Sequence, residues 1–336
     1  KTEYLVGAGV FLALALLKNY FKGGMCKVVR DLIGQVAVVT GGNTGIGKDT
    51  AEELARRGCT VMIGAEISKN LEQQLKKSVE ELEPKRECID LDLSSKISIE
   101  KFADEVKRRY RSIDSLVNNA GVMGIPDNRT TEDGFETQMG VNHLGHFYLT
   151  SLLWDSMKNS PNLRIINVSS KAQNRNPVDR KAQLTINFKL WMESIPERVQ
   201  STVNTILGTR MQFEDGQRAI YAVLAARLER VNPNARTISL HPGVVRTELG
   251  RYAFTGLKKL LIYLIYPLFW LFSKNCWQGA QTSIYGVMED KDKLQNGGHY
   301  ADCKLSVPGT FAMDPSNRQR LWESSEQLLG IKFDAT

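Results

Sequence analysis

The chain has 336 residues, 42% of them hydrophobic, which is enough for one large α/β domain with additions. Its net charge of +7 is scattered and includes no basic block with interleaved aromatic residues, which argues against nucleic acid and leaves a membrane surface or an anionic ligand open as partners. The five cysteines lie far apart without a Cys-x-x-Cys pair and the four histidines lack metal-ligand spacing, so we expect reduced thiols and no metal site.

The first predicted element is an apolar run over residues 4–17, which is followed by Lys18 and further basic residues. The run is short for a bilayer crossing, which takes about 20 residues, but two aromatic residues lengthen it if Lys18 snorkels. A secretory signal would need a small-x-small cleavage site that is missing here, and a buried core helix is the other alternative. Because the run has no amphipathic period and precedes the first domain strand, we predict a membrane anchor with its basic flank over 1–30 and one domain over 31–336.

A strand, a glycine-rich turn and a helix follow in direct succession. The strand covers 36–39, Gly41, Gly45 and Gly47 have Gly-x-x-x-Gly-x-Gly spacing, and a helical pattern covers 48–57. This order is typical of a dinucleotide-binding turn, because glycines let the backbone approach a pyrophosphate and the helix start offers unpaired N–H groups. A tight turn that binds nothing is the alternative.

The second predicted strand, over 60–65, ends at Glu66, 19 residues after Gly47. An acidic side chain at this distance binds a ribose 2′-hydroxyl and repels a 2′-phosphate, although a solvated carboxylate at a strand end is an equal alternative. The remaining predicted elements are helices over 71–83, 99–110, 219–231, 277–288 and 318–329, and strands over 88–93, 115–121, 237–240 and 298–300. Strands that alternate with helices predict the α/β class, with a doubly wound parallel sheet of the Rossmann type behind the anchor helix.

Several motifs support one family resemblance. They are Thr40-Gly-Gly-Asn-Thr-Gly-Ile-Gly47, Asp92, Asn118-Asn-Ala-Gly121, Asn142-His-Leu-Gly-His-Phe147, Val168-Ser-Ser170 and His241-Pro-Gly243. In combination they resemble the motifs of the short-chain dehydrogenases/reductases. Their residues are most similar to those of the membrane-anchored retinol dehydrogenases, including the mitochondrial ones. The resemblance implies an oxidoreductase fold with bound NAD or NADP.

The resemblance also implies a role for individual positions. Asn142 would hold a water that relays a proton, and Ser170 would hydrogen-bond the substrate oxygen. Glu66 stands where the group usually has an Arg that pairs with NADP, which favours NAD. The implied cofactor-binding residues are Gly41, Asn43, Thr44, Gly45, Ile46 and Gly47 in the turn, Glu66 and Asp92 on the adenosine side, Asn118, Ala120 and Gly121 in the cleft, and Pro242, Gly243 and Thr247 beside the nicotinamide.

The proton donor of the family is missing from its usual place. The family uses a Tyr whose pKa is lowered by a Lys four residues later, yet no Tyr occurs over 171–220. Alignment backwards from the His-Pro-Gly motif puts Arg210 at the Tyr position and Glu214 at the Lys position. The one Tyr-x-x-x-Lys match, from Tyr300 to Lys304, corresponds to a non-catalytic stretch of the family and is interpreted as coincidence.

These observations predict a catalytically inactive accessory subunit of a membrane protein complex. The resemblance suggests the mitochondrial inner membrane, with the endoplasmic reticulum membrane as alternative, and other protein subunits as partners. A second apolar segment over 259–273 would contact the membrane or a protein. The alternative function is an active NAD(P)-dependent oxidoreductase of retinoids or lipid aldehydes, and a nucleotide-sensing binding module is a third.

Overall fold

One eight-stranded sheet organises the molecule. The computed structural model describes residues 2–66, 86–123, 125, 129–169, 213–250, 266, 269–307 and 314–335. The strands lie in the order β3-β2-β1-β4-β5-β6-β7-β8, and all neighbours are parallel except β7 and β8. The strands are β1 Val36–Thr40, β2 Thr60–Ala65, β3 Arg86–Asp90, β4 Ser115–Asn118, β5 Arg164–Val168, β6 Arg236–His241, β7 His299–Ala301 and β8 Lys304–Ser306.

Helices cover both faces of this sheet. They are α1 Thr2–Phe21, α2 Gly45–Arg56, α3 Lys96–Arg109, α4 His146–Met157, α5 Phe213–Val231, α6 Cys276–Met288 and α7 Pro315–Leu329. One apolar core joins the sheet to α2 and α6 through side chains such as Leu54 and Ile284. A second core joins it to α3, α4, α5 and α7, with Phe102 and Trp322 among its fully buried members. The predicted α/β class and the doubly wound parallel sheet are therefore confirmed.

The boundaries of several elements differ from those predicted. α2 begins at Gly45 rather than at residue 48, because the last glycines of the turn already belong to the first helical turn. β3 covers Arg86–Asp90 rather than 88–93, since the chain turns at Asp92, whose carboxylate accepts a hydrogen bond from the backbone N–H of Ser94. β5, β8 and α4 were not predicted, and the predicted helix over 71–83 lies outside the described residues.

The N-terminal apolar run forms α1, which has 20 residues. Of the helices that the structure describes, none combines the length and apolarity needed to cross a bilayer. The membrane anchor over 1–30 therefore stays a prediction. The end of α1 reaches the segment before α6, where the rings of Phe21 and Phe272 meet edge to face at 4.8 Å.

Candidate functional site

The turn between β1 and α2 packs closely on the turn after β4, so that a side chain has no room at Gly47 and would be crowded at Gly41. A Cβ atom on Gly47 would lie 2.3 Å from the carbonyl oxygen of Gly41 and 2.3 Å from the side-chain amide nitrogen of Asn119. Gly41 has a φ of +64°, and a Cβ atom there would lie 3.0 Å from Cα of Ala120. A dinucleotide-binding turn needs glycines for these same two reasons, the tight turn and the close packing of helix and strand.

The start of α2 is suited to an anion. Thr44 occupies the N-cap position without a side-chain cap hydrogen bond, and the first turn of α2 carries no acidic residue. A helix start of this kind presents backbone N–H groups and the positive end of the helix dipole. Gly45 has a φ of +59°, and a Cβ atom there would lie 3.5 Å from Cγ2 of Thr247, so the loop after β6 reaches the same place. This turn, which also contains Asn43 and Ile46, is therefore a candidate site for an anionic group such as a pyrophosphate.

Thr40, the last residue of β1, joins the glycine turn to the neighbouring strand. Its Oγ1 accepts hydrogen bonds from the backbone N–H groups of Asn119 at 2.9 Å and Ala120 at 3.0 Å, and it lies 2.8 Å from Nε2 of His146. The side-chain amide of Asn119 donates in return to the carbonyl oxygen of Thr40 at 2.9 Å. These bonds hold the turn after β4 against the glycine turn, with Ala120 facing Gly41.

Asn142 lies in a π-helical segment, Gly140–Gly145, that leads directly into α4. Its side chain holds both backbone groups of Val122, with Oδ1 accepting from the N–H at 2.8 Å and Nδ2 donating to the carbonyl at 2.9 Å. Nδ1 of His146 lies 3.0 Å from the carbonyl oxygen of Asn142. π-helical turns are rare and frequently mark functional sites. The structure shows the Asn142 side chain holding Val122, and its role with a proton-relaying water stays a prediction.

The imidazole of His146 connects Asn142 to Thr40. Burial lowers its pKa to about 4, so the ring is neutral near pH 7. A carbonyl oxygen can only accept, so Nδ1 carries the proton and donates to Asn142, and Nε2 accepts from the hydroxyl of Thr40. That hydroxyl then accepts two backbone N–H groups and donates once, which satisfies it completely.

Asn118 braces the sheet rather than opening onto its edge. It is 3% exposed, and its side-chain nitrogen donates to Oδ1 of Asn167 on β5 at 2.8 Å. Gly121 is exposed at the end of the following turn, where a Cβ atom would lie 3.3 Å from Oδ1 of Asn142. The structure therefore exposes Gly121 beside Asn142 and buries Asn118 within the sheet.

The two predicted carboxylates of the adenosine side differ in their surroundings. Asp92 is half-buried, and its carboxylate is held by the backbone N–H of Ser94 at 2.7 Å. Glu66 directly follows β2 and is exposed. β2 pairs with β1, so Glu66 lies at the carboxyl edge of the sheet beside the glycine turn.

Pro242 and Gly243 directly follow β6, and their loop contacts Lys274, a residue outside the predicted site. The ammonium of Lys274 donates to the carbonyl oxygen of Pro242 at 3.0 Å. Gly243 has a φ of +96°, and a Cβ atom there would lie 2.8 Å from Cε of Lys274. A single lysine within an apolar stretch gives no sequence signal for this contact.

The residues that decide the proton transfer lie largely outside the described part of the chain. Ser170 and Arg210 are not described, and of Glu214 only the helical backbone is. Tyr221 is the first tyrosine after Ser170 in the sequence. It is 3% exposed in the core, its hydroxyl accepts from Asn118, and burial raises its pKa above the ordinary value. Tyr221 is therefore a core residue.

The Tyr300 to Lys304 match crosses a hairpin instead of one turn of a helix. Tyr300 lies on β7 and Lys304 on β8, and the two residues flank a turn that contains Asp302 and Cys303 at positive φ. The Tyr300 hydroxyl accepts from the backbone N–H of Gln295 at 2.8 Å. Across the hairpin Tyr300 pairs with Leu305 and Lys304 pairs with Ala301, and burial raises the pKa of Tyr300 above its ordinary value instead of lowering it. The interpretation as coincidence agrees with this position.

Comparison with known proteins gives the same family as the motifs. The sequence profile of the short chain dehydrogenase family matches residues 35–182. Mouse retinol dehydrogenase 13 is 37% identical to this chain, and the match covers 94% of this chain and 90% of the mouse protein. Bovine retinol dehydrogenase 12 is 34% identical, and the match covers 95% of this chain and 93% of the bovine protein. Among solved structures, a short chain dehydrogenase from Burkholderia cenocepacia in complex with NADP matches with a TM-score of 0.58 at 20% identity, covering 81% of this chain and 97% of that one. The chain therefore belongs to the short chain dehydrogenase family and is related to the retinol dehydrogenases.

Proposed function

We propose that this short chain dehydrogenase is a nicotinamide dinucleotide-dependent oxidoreductase that acts on retinoids or related lipid alcohols and aldehydes. The observation that carries the proposal is the glycine turn. The packing at Gly47 excludes a side chain, the positive φ at Gly41 favours glycine, and the helix start carries neither a side-chain cap on Thr44 nor an acidic residue in the first turn. The substrate class is supported by the retinol dehydrogenase relatives, which match more than 90% of this chain.

The described residues suggest how the chain would hold the cofactor. The turn around Gly45 would bind the pyrophosphate, and the loop that carries Pro242 and Thr247 would flank the nicotinamide. A bound nicotinamide dinucleotide would supply the hydride. Ser170 would hydrogen-bond the substrate oxygen. Because no Tyr-x-x-x-Lys pair occurs over 171–220, the proton would come from water or from another side chain.

We favour NAD over NADP. Glu66 is exposed at the end of β2, next to the strand that feeds the glycine turn. A carboxylate there accepts hydrogen bonds from a ribose 2′-hydroxyl, whereas it would repel a 2′-phosphate. Titration of the purified protein with both dinucleotides tests this choice, and tighter binding of NADP would contradict it.

A second candidate is a catalytically inactive accessory subunit that keeps a dinucleotide as a structural ligand. The observation that favours it is the absence of any tyrosine over 171–220, with Arg210 and Glu214 aligned to the family's acid pair. Binding and hydride transfer use different residues, so the first can persist without the second.

One experiment separates the two candidates. Dinucleotide released from the denatured full-length protein is identified by mass spectrometry, and turnover of all-trans-retinal is measured with NADH and NADPH. Turnover that is lost in Ser170→Ala and kept in the control Ser169→Ala supports the oxidoreductase. Bound dinucleotide without turnover supports the accessory subunit. A protein that neither contains nor binds a dinucleotide would refute both.

We also propose that the protein associates with a membrane through 1–30 and the apolar segment 259–273. Leu16 is 62% exposed and Trp270 46% exposed, and the ammonium of Lys18 lies 4.5 Å from the centre of the Trp270 ring. Aromatic and basic side chains together are typical of a membrane–water interface. Trp270→Ser should weaken co-sedimentation with anionic vesicles, whereas the control Leu305→Ser, at a side chain 57% exposed on β8, should not. An equal loss of vesicle binding in both variants would contradict a defined membrane-binding surface around Trp270. Subcellular fractionation would then distinguish the mitochondrial inner membrane, which we favour, from the endoplasmic reticulum.

A further inference from the structure

Lys274 lies where three distant parts of the chain meet. Its side chain is 7% exposed, and its ammonium donates to the carbonyl oxygen of Pro242 at 3.0 Å and to the carboxylate of Asp302 at 2.5 Å. The Pro242 carbonyl belongs to the loop over 242–247, and Asp302 belongs to the turn between β7 and β8. Burial opposes ionisation of Asp302, yet the hydrogen bond from Lys274 holds the pKa of this carboxyl below its ordinary value.

The backbone of Lys274 is also fixed to the 242–247 loop. Its N–H donates to the carbonyl of Val244 at 2.8 Å, and its carbonyl accepts from the N–H of Arg246 at 3.0 Å. The next residue, Asn275, is the N-cap of α6 and forms a reciprocal capping box with Gln278. The ammonium therefore projects from a capped helix start and adds a side-chain hydrogen bond to a loop that the backbone of Lys274 already pairs with.

The linker after α1 is the third part. A Cβ atom on Gly23 would lie 2.6 Å from Nζ of Lys274, and one on Gly24 would lie 1.9 Å from the carbonyl oxygen of Asp302. Only a chain without side chains at 23 and 24 can pass this close to the Lys274–Asp302 ion pair. The linker then continues to Cys26, whose N–H donates to Oε1 of Gln281 on α6 at 3.1 Å.

The end of α1 contacts the residue that directly precedes Lys274. The ammonium of Lys18 donates to the carbonyl of Ser273, the residue before Lys274, at 2.7 Å, and also to the carbonyl of Trp270. A continuous set of hydrogen bonds thus connects α1 with the 242–247 loop through 273–274.

We propose that Lys274 is a positioning residue that couples the docking of α1 on the domain to the conformation of the 242–247 loop beside the nicotinamide. The docked α1 thereby raises the affinity of the protein for the dinucleotide. The inference rests on the proposed dinucleotide binding. Coupling between two sites is reciprocal, so a dinucleotide that binds the loop must also stabilise the linker over 23–26.

The test combines hydrogen–deuterium exchange with dinucleotide titration of the full-length protein. The variants are Lys274→Met, Lys18→Met and Asp302→Asn, and asparagine tolerates the positive φ of 53° at position 302. The matched control is Lys293→Met, which removes two ion pairs of a side chain that is 66% exposed.

Each measurement has a defined expectation. Without dinucleotide, Lys274→Met and Asp302→Asn should speed amide exchange over both 242–247 and 23–26, while β1, β4 and β5 keep their protection. Lys274→Met should weaken NAD binding on the order of tenfold or more and Lys18→Met by about fivefold. Saturating NAD should slow exchange over 23–26 in the unchanged protein and not in Lys274→Met.

The outcomes separate this inference from the function on which it rests. If the unchanged protein binds no dinucleotide, the proposed function fails and this inference fails with it, whatever the exchange data show. If it binds NAD but the variants bind equally well, or if NAD leaves 23–26 unaffected, only the inference is wrong. If Lys274→Met does not fold, Lys18→Met and Asp302→Asn decide by the same measurements.

Discussion

Gly47→Ala is the substitution that tests the glycine turn most directly. Gly47 lies in α2, so alanine alone would favour the helix by about 0.5 to 1 kcal/mol. Against this gain, the new Cβ atom would lie 2.3 Å from the carbonyl oxygen of Gly41 and 2.3 Å from the side-chain nitrogen of Asn119. The first is a backbone atom, and the second is held by its hydrogen bond to the carbonyl of Thr40, so neither can move away freely. Overpacking of this kind costs about 1 to 3 kcal/mol, which outweighs the helix gain.

The expected result is a lower melting temperature together with a loss of binding. A net cost of about 1 to 2 kcal/mol corresponds to about 2 to 3 °C, because the unfolding entropy of a domain of about 300 residues is on the order of 0.6 kcal/mol per degree. The affinity for NAD should fall on the order of tenfold or more, because the start of α2 must shift away from the pyrophosphate. Thermal unfolding followed by circular dichroism and a fluorescence titration with NAD measure the two quantities.

Gly286→Ala is the matched control. Gly286 also lies inside a helix, α6, and its Cβ atom would meet Cδ1 of Ile238 at 2.6 Å and Cδ1 of Ile166 at 2.9 Å. These atoms are the flexible ends of side chains and can rotate away, so the cost should be smaller and NAD binding should be unchanged. Normal stability and normal NAD affinity in Gly47→Ala would refute the assignment of the turn as a dinucleotide cradle.

Three further predictions concern acid stability, the Thr40 network and cofactor choice. Burial lowers the pKa of His143 from 6.5 to about 3, so the unfolded chain binds more protons than the folded one and the free energy of unfolding falls as the pH drops below 6.5. Urea titrations between pH 4.5 and 6 measure the slope of the free energy of unfolding against pH. His143→Gln should reduce this slope by the equivalent of about one proton bound on unfolding, and an unchanged slope would contradict the burial argument. Thr40→Val removes the acceptor of two backbone N–H groups and should lower the free energy of unfolding by about 1 to 3 kcal/mol, whereas Thr40→Ser, which keeps the hydroxyl, should cost no more than about 1 kcal/mol. Glu66→Arg should raise the affinity for NADP relative to NAD at least about tenfold in parallel titrations, because it replaces a repulsive charge with an attractive one, and a constant ratio would show that Glu66 does not face the ribose.

The elements around the glycine turn could be predicted because each carries a local pattern. β2 was predicted with its observed bounds, since its six residues are all buried and form one apolar run between Gly58 and Glu66. The spacing of Gly41, Gly45 and Gly47 is enough to recognise the glycine turn in the sequence. β8 could not be predicted, because its three residues have exposed or half-exposed side chains and show no apolar pattern. It is a strand only through its pairing with β7.

The polar contacts that hold the site were predictable only in part. Asn142 was identified through the family resemblance, but the π-helical segment and the His146 bridge to Thr40 depend on an extra residue in a helix that no periodicity reveals. Lys274 and Asp302 are 28 residues apart and belong to different elements, so no local pattern connects them. Their proximity is a product of the sheet order, which brings β6 beside β7.

The contacts of α1 have a consequence for the order of events during synthesis. Lys18 and Cys26 each bind a residue that lies 255 positions later in the chain. At about 5 to 20 residues per second, the ribosome needs on the order of 10 to 50 s to make those partners after α1 has emerged. For that time α1 is an apolar helix that lacks its binding surface on the folded domain. A targeting factor or a bilayer therefore has the first opportunity to capture it, and docking of the linker onto the β7–β8 hairpin becomes one of the last steps of folding.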